Sequence, residues 1–101
     1  MTEDPAAVFA SITSKPGLRG FVRDGQIATM PARQSRRRQL LAEVAQLFEP
    51  GVRYGEPAVN DLLLALYPDF AAMRRYLIDE EFMDRANGEY WRIGGPVAQS
   101  G

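Results

Sequence analysis

Apolar residues recur at helical spacing in several stretches of the chain, and the clearest stretch lies between residues 32 and 49. Its apolar positions are Leu40, Leu41, Val44, Leu47 and Phe48. This spacing places the side chains on a single face of an α-helix. The pattern therefore predicts one amphipathic helix, which ends at Pro50-Gly51.

Three shorter helices are predicted by apolar spacing together with residues that favour a helix start. Aspartate is a good N-cap, and proline is tolerated in the first helical turn. The three starts are at Asp4-Pro5, for a helix over about residues 5–14, at Gly55-Glu56-Pro57, and at Asp69, for a helix from Phe70 to about Asp79.

Two glycine-containing pairs predict β-hairpins. Asp24-Gly25 lies between β-prone runs, and Asn87-Gly88 separates a strand at about residues 82–85 from a second at 89–93. Both positions of such a pair accept the positive φ that a tight turn needs. Arg53-Tyr54 is a short extended piece that can add a third strand.

From residue 33 onward the predicted order is helix, short strand, helix, tight turn, helix and hairpin. This is the order of a winged helix-turn-helix. We therefore predict an α+β fold, with three helices and a small antiparallel sheet in the winged helix and an N-terminal helix and β-hairpin as an extension. The predicted divisions are an N-terminal extension at 1–17, the winged-helix domain at 18–93 and a disordered tail at 94–101.

Composition narrows the chemistry. The 101 residues are 46% hydrophobic and 25% charged, which is ordinary for one globular domain. Cysteine and histidine are both absent, which excludes disulfides, thiolate zinc sites and histidine bases. No nucleophile has a visible base and no glycine-rich loop cradles phosphate, so we expect neither an enzyme nor a cofactor or metal site. No apolar run approaches the ~20 residues of a membrane helix, and the N-terminus lacks the basic start of a signal peptide, so a cytoplasmic protein is expected.

Charge is unevenly distributed although the net charge is only −1. Seven basic residues lie between Lys15 and Arg38, with Asp24 as the single acid among them. An acidic cluster follows near the other end of the chain, at Asp79, Glu80, Glu81 and Asp84. Separated charge of this kind orients a protein on a polyanion or on an oppositely charged protein, and it does not choose between them.

Two groups of arginines are candidates for nucleic-acid contact. Arg74 and Arg75 lie on the third helix of the predicted winged helix, where they can contact phosphates or guanine edges. The alternative is that they form solvated ion pairs with nearby acids. The second group consists of Arg33, Arg36, Arg37 and Arg38. These arginines can bind a phosphate backbone, and the alternative is that they form a solvated helix face.

The acidic cluster is a candidate surface for docking a protein. Its spacing does not match a calcium loop, so the alternatives are a docking patch or a solvated helix end. Asn60 is interpreted as a structural residue that hydrogen-bonds between helices. Arg85 and Arg92 are interpreted as parts of a plain hairpin, in which one of Tyr90 and Trp91 belongs to the core.

Five pieces of the chain resemble a known bacterial family, over about three-quarters of its length. The pieces are FVRDGQIATMPAR, RRRQLLAEVAQLF, RYGEPAVNDLL, DFAAMRRYLIDEEFMDR and GEYWRI. They resemble the domain of unknown function 2087 (DUF2087). The resemblance implies a small winged-helix domain, found alone or attached to helix-turn-helix regulators. Pro57 departs from the family pattern, which more often has a charged residue there.

The leading functional expectation is a small bacterial DNA-binding regulator of transcription, with DNA as its partner. A protein of this size reads few base pairs, so it would dimerise or need a partner. The alternative is a winged-helix module that docks on a larger machine, such as RNA polymerase, the ribosome or another regulator. Contact with RNA through the same arginines is a variant of that alternative.

Overall fold

The computed structural model describes residues 4–95, which form an α+β fold. Four α-helices occur in this range: α1 (Pro5–Thr13), α2 (Gln34–Val44), α3 (Glu56–Leu64) and α4 (Phe70–Asp79). The five strands are β1 (Val22–Arg23), β2 (Gln26–Ile27), β3 (Tyr54–Gly55), β4 (Met83–Ala86) and β5 (Glu89–Arg92). Within the described range, no helix is both long enough and apolar enough to cross a membrane.

The helix starts are built as their sequences predict. The Asp4 carboxylate accepts a hydrogen bond from the Ala7 backbone N–H at 2.8 Å, and Asp69 does the same for Ala72 at 3.1 Å. Each bond satisfies a backbone donor that has no partner within its own helix. Pro57 lies in the first turn of α3, where its missing N–H costs no helical hydrogen bond.

The helix predicted to continue to Pro50 ends earlier. α2 ends at Val44, and a 3₁₀ turn at Ala45–Leu47 replaces its last turn. The chain then becomes extended at Phe48, with φ −111° and ψ 131°. The five apolar positions predicted for one face are all buried despite this change, because a 3₁₀ turn keeps the chain coiling in the same direction.

Both hairpin turns have the expected conformation. Asp24 and Gly25 have φ of 54° and 80°, and Asn87 and Gly88 have φ of 53° and 78°. Two successive left-handed residues match the twist of the flanking strands. The first hairpin, β1–β2, forms its own two-stranded antiparallel sheet, and β3 joins the second hairpin in a sheet of order β3-β5-β4.

One core joins these elements. Val8 and Ile12 of α1 are completely buried in the same cluster as the apolar face of α2 and Tyr90 of β5. The first hairpin is attached through the Ile27 N–H, which donates to the Leu66 carbonyl at 2.8 Å. The prediction of a disordered tail concerns mainly residues 96–101, which lie outside the described residues.

Candidate nucleic-acid interface

Four arginines at the start of α2 are predicted to bind nucleic acid, and we call Arg33, Arg36, Arg37 and Arg38 the α2 arginines. Two of them contact an acid of the same chain. Arg37 Nη2 lies 3.3 Å from Glu80 Oε2, and Arg38 Nη1 lies 3.0 Å from Glu80 Oε1. Arg38 Nη1 also donates to the Glu80 carbonyl at 2.9 Å, and Gln34 donates to the carboxylate at 3.2 Å. The end of α4 is thereby joined to the start of α2.

The same two guanidinium groups also pack against aromatic rings and backbone. Arg38 lies 4.8 Å from the centroid of the Phe82 ring, and Arg37 lies 5.6 Å from that of Tyr76. Arg37 Nη1 also donates to the carbonyls of Pro31 and Ala32. Cation–π contacts and charge-assisted hydrogen bonds hold these side chains in place, and the single carboxylate of Glu80 offsets one of their two positive charges.

Two opposing effects act on the pKa of Glu80 in this environment. Burial by itself would raise the pKa of the Glu80 carboxyl. The hydrogen bonds from Arg38, Gln34 and Arg37, with the charge of Arg37, outweigh burial and hold that pKa below its ordinary value. Glu80 is therefore a charged structural residue near neutral pH.

The other two α2 arginines differ from this pair. Arg36 is half-buried against Gly17, where an added Cβ would lie 1.7 Å from its Nη1 atom. Arg33 is exposed, and its side chain has no hydrogen bond or ion pair within residues 4–95. The structure therefore does not bring the four α2 arginines together as one free cationic surface.

The predicted acidic cluster is also divided. Glu80 points inward, whereas Asp79, Glu81 and Asp84 are exposed. The Asp84 carboxylate accepts from the Arg85 backbone N–H at 2.7 Å. Glu81 has a positive φ of 63°, which turns the chain from α4 into β4. Among the described residues, no group of acidic side chains is arranged to hold a metal ion.

The second group of predicted arginines lies on the outer side of α4. Ala71, Arg75 and Asp79 follow one another along the exposed face of this helix, opposite the buried Met73 and Leu77. The Arg75 side chain has no hydrogen bond or ion pair with any described residue. It is therefore available to a ligand.

Arg74 is half-buried and fixed. Its Nη1 atom donates to the Asn60 side-chain oxygen, and its guanidinium lies 5.9 Å from the centroid of the Tyr90 ring. The predicted structural role of Asn60 is seen here as a hydrogen bond between α3 and α4. The partners of Arg74 carry no negative charge, so its positive charge is retained.

Arg85 lies beside the same tyrosine. Arg85 and Tyr90 are directly opposite in the β4–β5 register, so their side chains share one face of the sheet. The neighbouring Tyr90 phenol, followed by the charges of Glu56 and Asp79, raises the pKa of Arg85 above its ordinary value. The Tyr90 hydroxyl donates to Glu56 Oε1 at 2.9 Å, which fixes the phenol between α3 and the sheet.

These side chains surround a concavity of about 260 Å³ between α4 and β4. Its lining residues are Ala71, Arg74, Arg75, Ile78, Asp79 and Arg85. Three guanidinium groups thus face one carboxylate, and no ion pair joins Asp79 to any of the three arginines in the described range. We call Arg74, Arg75 and Arg85 the α4–β4 arginines.

A larger concavity of about 420 Å³ lies beside the β1–β2 hairpin and lacks this charge bias. Among the described residues that line it, Arg23 is the one cation, and Asp24 and Asp69 supply two carboxylates. The α4–β4 concavity is therefore the better candidate for binding an anionic ligand.

A family model matches residues 26–92, which are 67 of the 101 residues in the chain. The family is described as an uncharacterized protein conserved in bacteria (DUF2087). The chain belongs to this family. No curated protein and no solved structure matches it. The region matched by DUF2087 runs from β2 to the end of β5 and includes all the α4–β4 arginines.

The sequence alone does not identify two residues at or beside the α4–β4 concavity, Arg85 and Glu56. The hairpin interpretation assigns no ligand to Arg85, and in the sequence Glu56 stands out only as part of a predicted helix start. The cross-strand register was the available signal, because two tight-turn residues at Asn87-Gly88 place Arg85 opposite Tyr90. No comparable local signal joins Glu56 to Tyr90, which is 34 residues away.

Proposed function

We propose that this DUF2087 chain is a winged-helix nucleic-acid-binding domain that acts as a DNA-binding regulator of transcription. The element order α2, β3, α3, α4, β4, β5 and the sheet order β3-β5-β4 support the winged helix. In this proposal α3 and α4 are the helix-turn-helix, α4 is the helix that enters the major groove, and the β4–β5 hairpin is the wing.

The observation that carries the proposal is the position of the three α4–β4 arginines. Arg74 and Arg75 come from α4 and Arg85 comes from the adjacent β4–β5 hairpin, and the three surround one concavity. Ala71 is small and exposed at the start of α4, which allows a close approach to DNA. Positive side chains at this place suit a duplex, because phosphates supply most of the affinity of such interfaces.

The arginines have different roles in this proposal. Arg74 is held by Asn60 and, with Arg85 on β4, contacts phosphate. Arg75 is free to donate both to the same phosphate and to a neighbouring guanine edge, because a guanidinium carries five N–H donors. Arg33 adds a phosphate contact at the start of α2. Arg37 and Arg38 contribute less, because Glu80 offsets one of their two charges and fixes both side chains. One copy of α4 reads few base pairs, so dimerisation on DNA is part of the proposal.

The test is binding to duplex DNA across a salt series, with the wild type, Arg75→Ala and Arg75→Ala/Arg85→Ala. We expect affinity to fall steeply with salt, and the salt slope to decrease by about 0.9 for each phosphate contact removed. Arg19→Ala is the matched control, because Arg19 is exposed, has no side-chain partner among the described residues and lies outside the matched family region.

Two results would overturn the proposal. One is the absence of duplex binding even at about 50 mM salt. The other is an equal loss of affinity in Arg19→Ala and in Arg75→Ala, which would show that binding depends on the net charge of the protein and not on the position of Arg75. Either result would favour the protein-docking alternative, with Asp79, Glu81 and Asp84 as its exposed acids.

A further inference from the structure

We infer that the concavity between α4 and β4 is a preformed pocket for a single phosphate group, held by Arg74, Arg75 and Arg85. This inference deepens the proposed function and rests on it for the source of the phosphate. The group itself is defined by chemistry: a tetrahedral oxyanion, borne by a nucleic-acid backbone or by a small phosphorylated molecule.

The first support is that one of the three guanidinium groups is already in position and a second stands on an ordered strand. Arg74 is held by the Asn60 oxygen. Arg85 lies opposite Tyr90 in the β4–β5 register, and the Tyr90 hydroxyl is itself bonded to Glu56. Tyr90 is 1% exposed, so this base is rigid. Groups fixed before binding lose little conformational entropy when a ligand arrives. Arg74 is fixed in this way, and the exposed Arg75 and Arg85 are the side chains that binding would order.

The second support is a charge excess that the chain itself does not neutralise. Elsewhere the Glu80 carboxylate pairs with both Arg37 and Arg38, which shows how this protein offsets the charge of adjacent guanidinium groups internally. The α4–β4 concavity is lined by three such groups and by Asp79, while Glu56 acts on Arg85 from outside it. None of the three arginines forms an ion pair within residues 4–95. Guanidinium forks match phosphate oxygens in geometry as well as in charge.

The third support is size. The concavity of about 260 Å³ is smaller than the ~300–1,000 Å³ of pockets that enclose whole drug-sized molecules. It suits one charged group of a ligand, with the remainder of that ligand outside. A phosphate of a backbone and the terminal phosphate of a small molecule both meet this requirement.

The experiment titrates inorganic pyrophosphate into the full chain at constant ionic strength and follows the backbone amide NMR signals of residues 70–86. We expect saturable shifts centred on α4 and β4 in the wild type. Arg75→Gln and Arg85→Gln should each weaken binding about tenfold, whereas Arg19→Ala should bind as the wild type does. Arg75→Gln keeps the test valid if Arg85→Gln fails to fold, since Arg75 is exposed and unpartnered.

A parallel competition separates the two sources of phosphate. Displacement of bound duplex DNA by pyrophosphate, at matched ionic strength, would support the inference with the backbone as source. Pyrophosphate binding without any duplex binding would support the inference but overturn the proposed function, and would leave a small phosphorylated molecule as the source. Duplex binding that depends on Arg75, with no saturable pyrophosphate binding and no competition, would overturn the inference alone. Failure of both ligands to bind would overturn both.

Discussion

The α2 arginines and the α4–β4 arginines are chemically alike but are used differently. Arg37 and Arg38 direct their charge to Glu80, at 3.3 and 3.0 Å, and so join α2 to the end of α4. Arg74 contacts the neutral Asn60 oxygen, and Arg75 has no side-chain partner among the described residues. Arg37 and Arg38 thus stabilise the fold, whereas Arg74 and Arg75 line a concavity and have no acidic partner among the described residues.

The difference shows that arginine density along a sequence is a poor guide to a binding surface. Three consecutive arginines at residues 36–38 form the densest basic run of the chain, yet its last two members are held by one carboxylate. That carboxylate lies 43 and 42 residues away from them. The role of an arginine in this protein therefore depends on whether the fold places an acidic side chain beside it.

The largest effect is expected from removing that acid. Glu80→Ala leaves two guanidinium groups without their counter-ion, one of which is mostly buried, and should lower the free energy of unfolding by about 3 kcal/mol. Asp79→Ala, one residue earlier, is the matched control and should change it by less than about 0.5 kcal/mol, because Asp79 is exposed and unpaired. Urea denaturation measures both. Equal effects at the two positions would show that Glu80 has no special role.

Lowering the pH should remove part of the stabilisation by Glu80 in the wild type. The folded pKa of Glu80 lies below its ordinary value, so its contribution is complete above the unfolded pKa of about 4.3 and is lost as pH falls through the folded pKa. The stability difference between the wild type and Glu80→Gln should therefore narrow as pH decreases below about 4. Urea denaturation at a series of pH values measures it. A difference that widens toward low pH would contradict the direction of the shift.

A smaller effect is expected at the base of the α4–β4 site. Tyr90→Phe removes the hydroxyl that donates to Glu56 and should lower the free energy of unfolding by about 1 kcal/mol. It should also broaden or shift the NMR signal of the Arg85 guanidinium. Tyr67→Phe is the control, because the half-buried Tyr67 hydroxyl has no hydrogen bond within the described residues. If both variants lost a similar free energy of unfolding, the Tyr90 hydroxyl would have no special role in positioning Arg85.

Much of the secondary structure follows from local sequence. The caps at Asp4 and Asp69 and the turn pairs at Asp24-Gly25 and Asn87-Gly88 act within three residues of themselves, so they can be identified without knowing the fold. The premature end of α2 at Val44 was not predicted, because the 3₁₀ turn that follows buries the same apolar positions as a continued helix would.

The site was less predictable, since its contacts join distant parts of the chain. Asp79, Glu80 and Glu81 look equivalent in sequence, but only Glu80 points inward, and the positive φ of Glu81 starts the reversal into β4. Arg85 belongs to the site through its register with Tyr90. Each of these facts depends on how α4 meets the sheet, and a charge pattern along the chain does not contain that information.

The finest distinction is between Arg33 and Arg75, the exposed, unpartnered members of the two groups. Replacing either by alanine should change the free energy of unfolding by less than about 0.5 kcal/mol, because neither side chain contributes an ion pair. Duplex binding should separate them: Arg33→Ala removes one phosphate contact and weakens all sequences alike, whereas Arg75→Ala also reduces discrimination between sequences. The measurement is affinity for a panel of duplexes at one salt concentration, with urea denaturation as the control for folding. If both variants lost affinity equally and for all duplexes alike, Arg75 would contribute only its charge. The difference between the two groups of arginines would then not extend to recognition of DNA sequence.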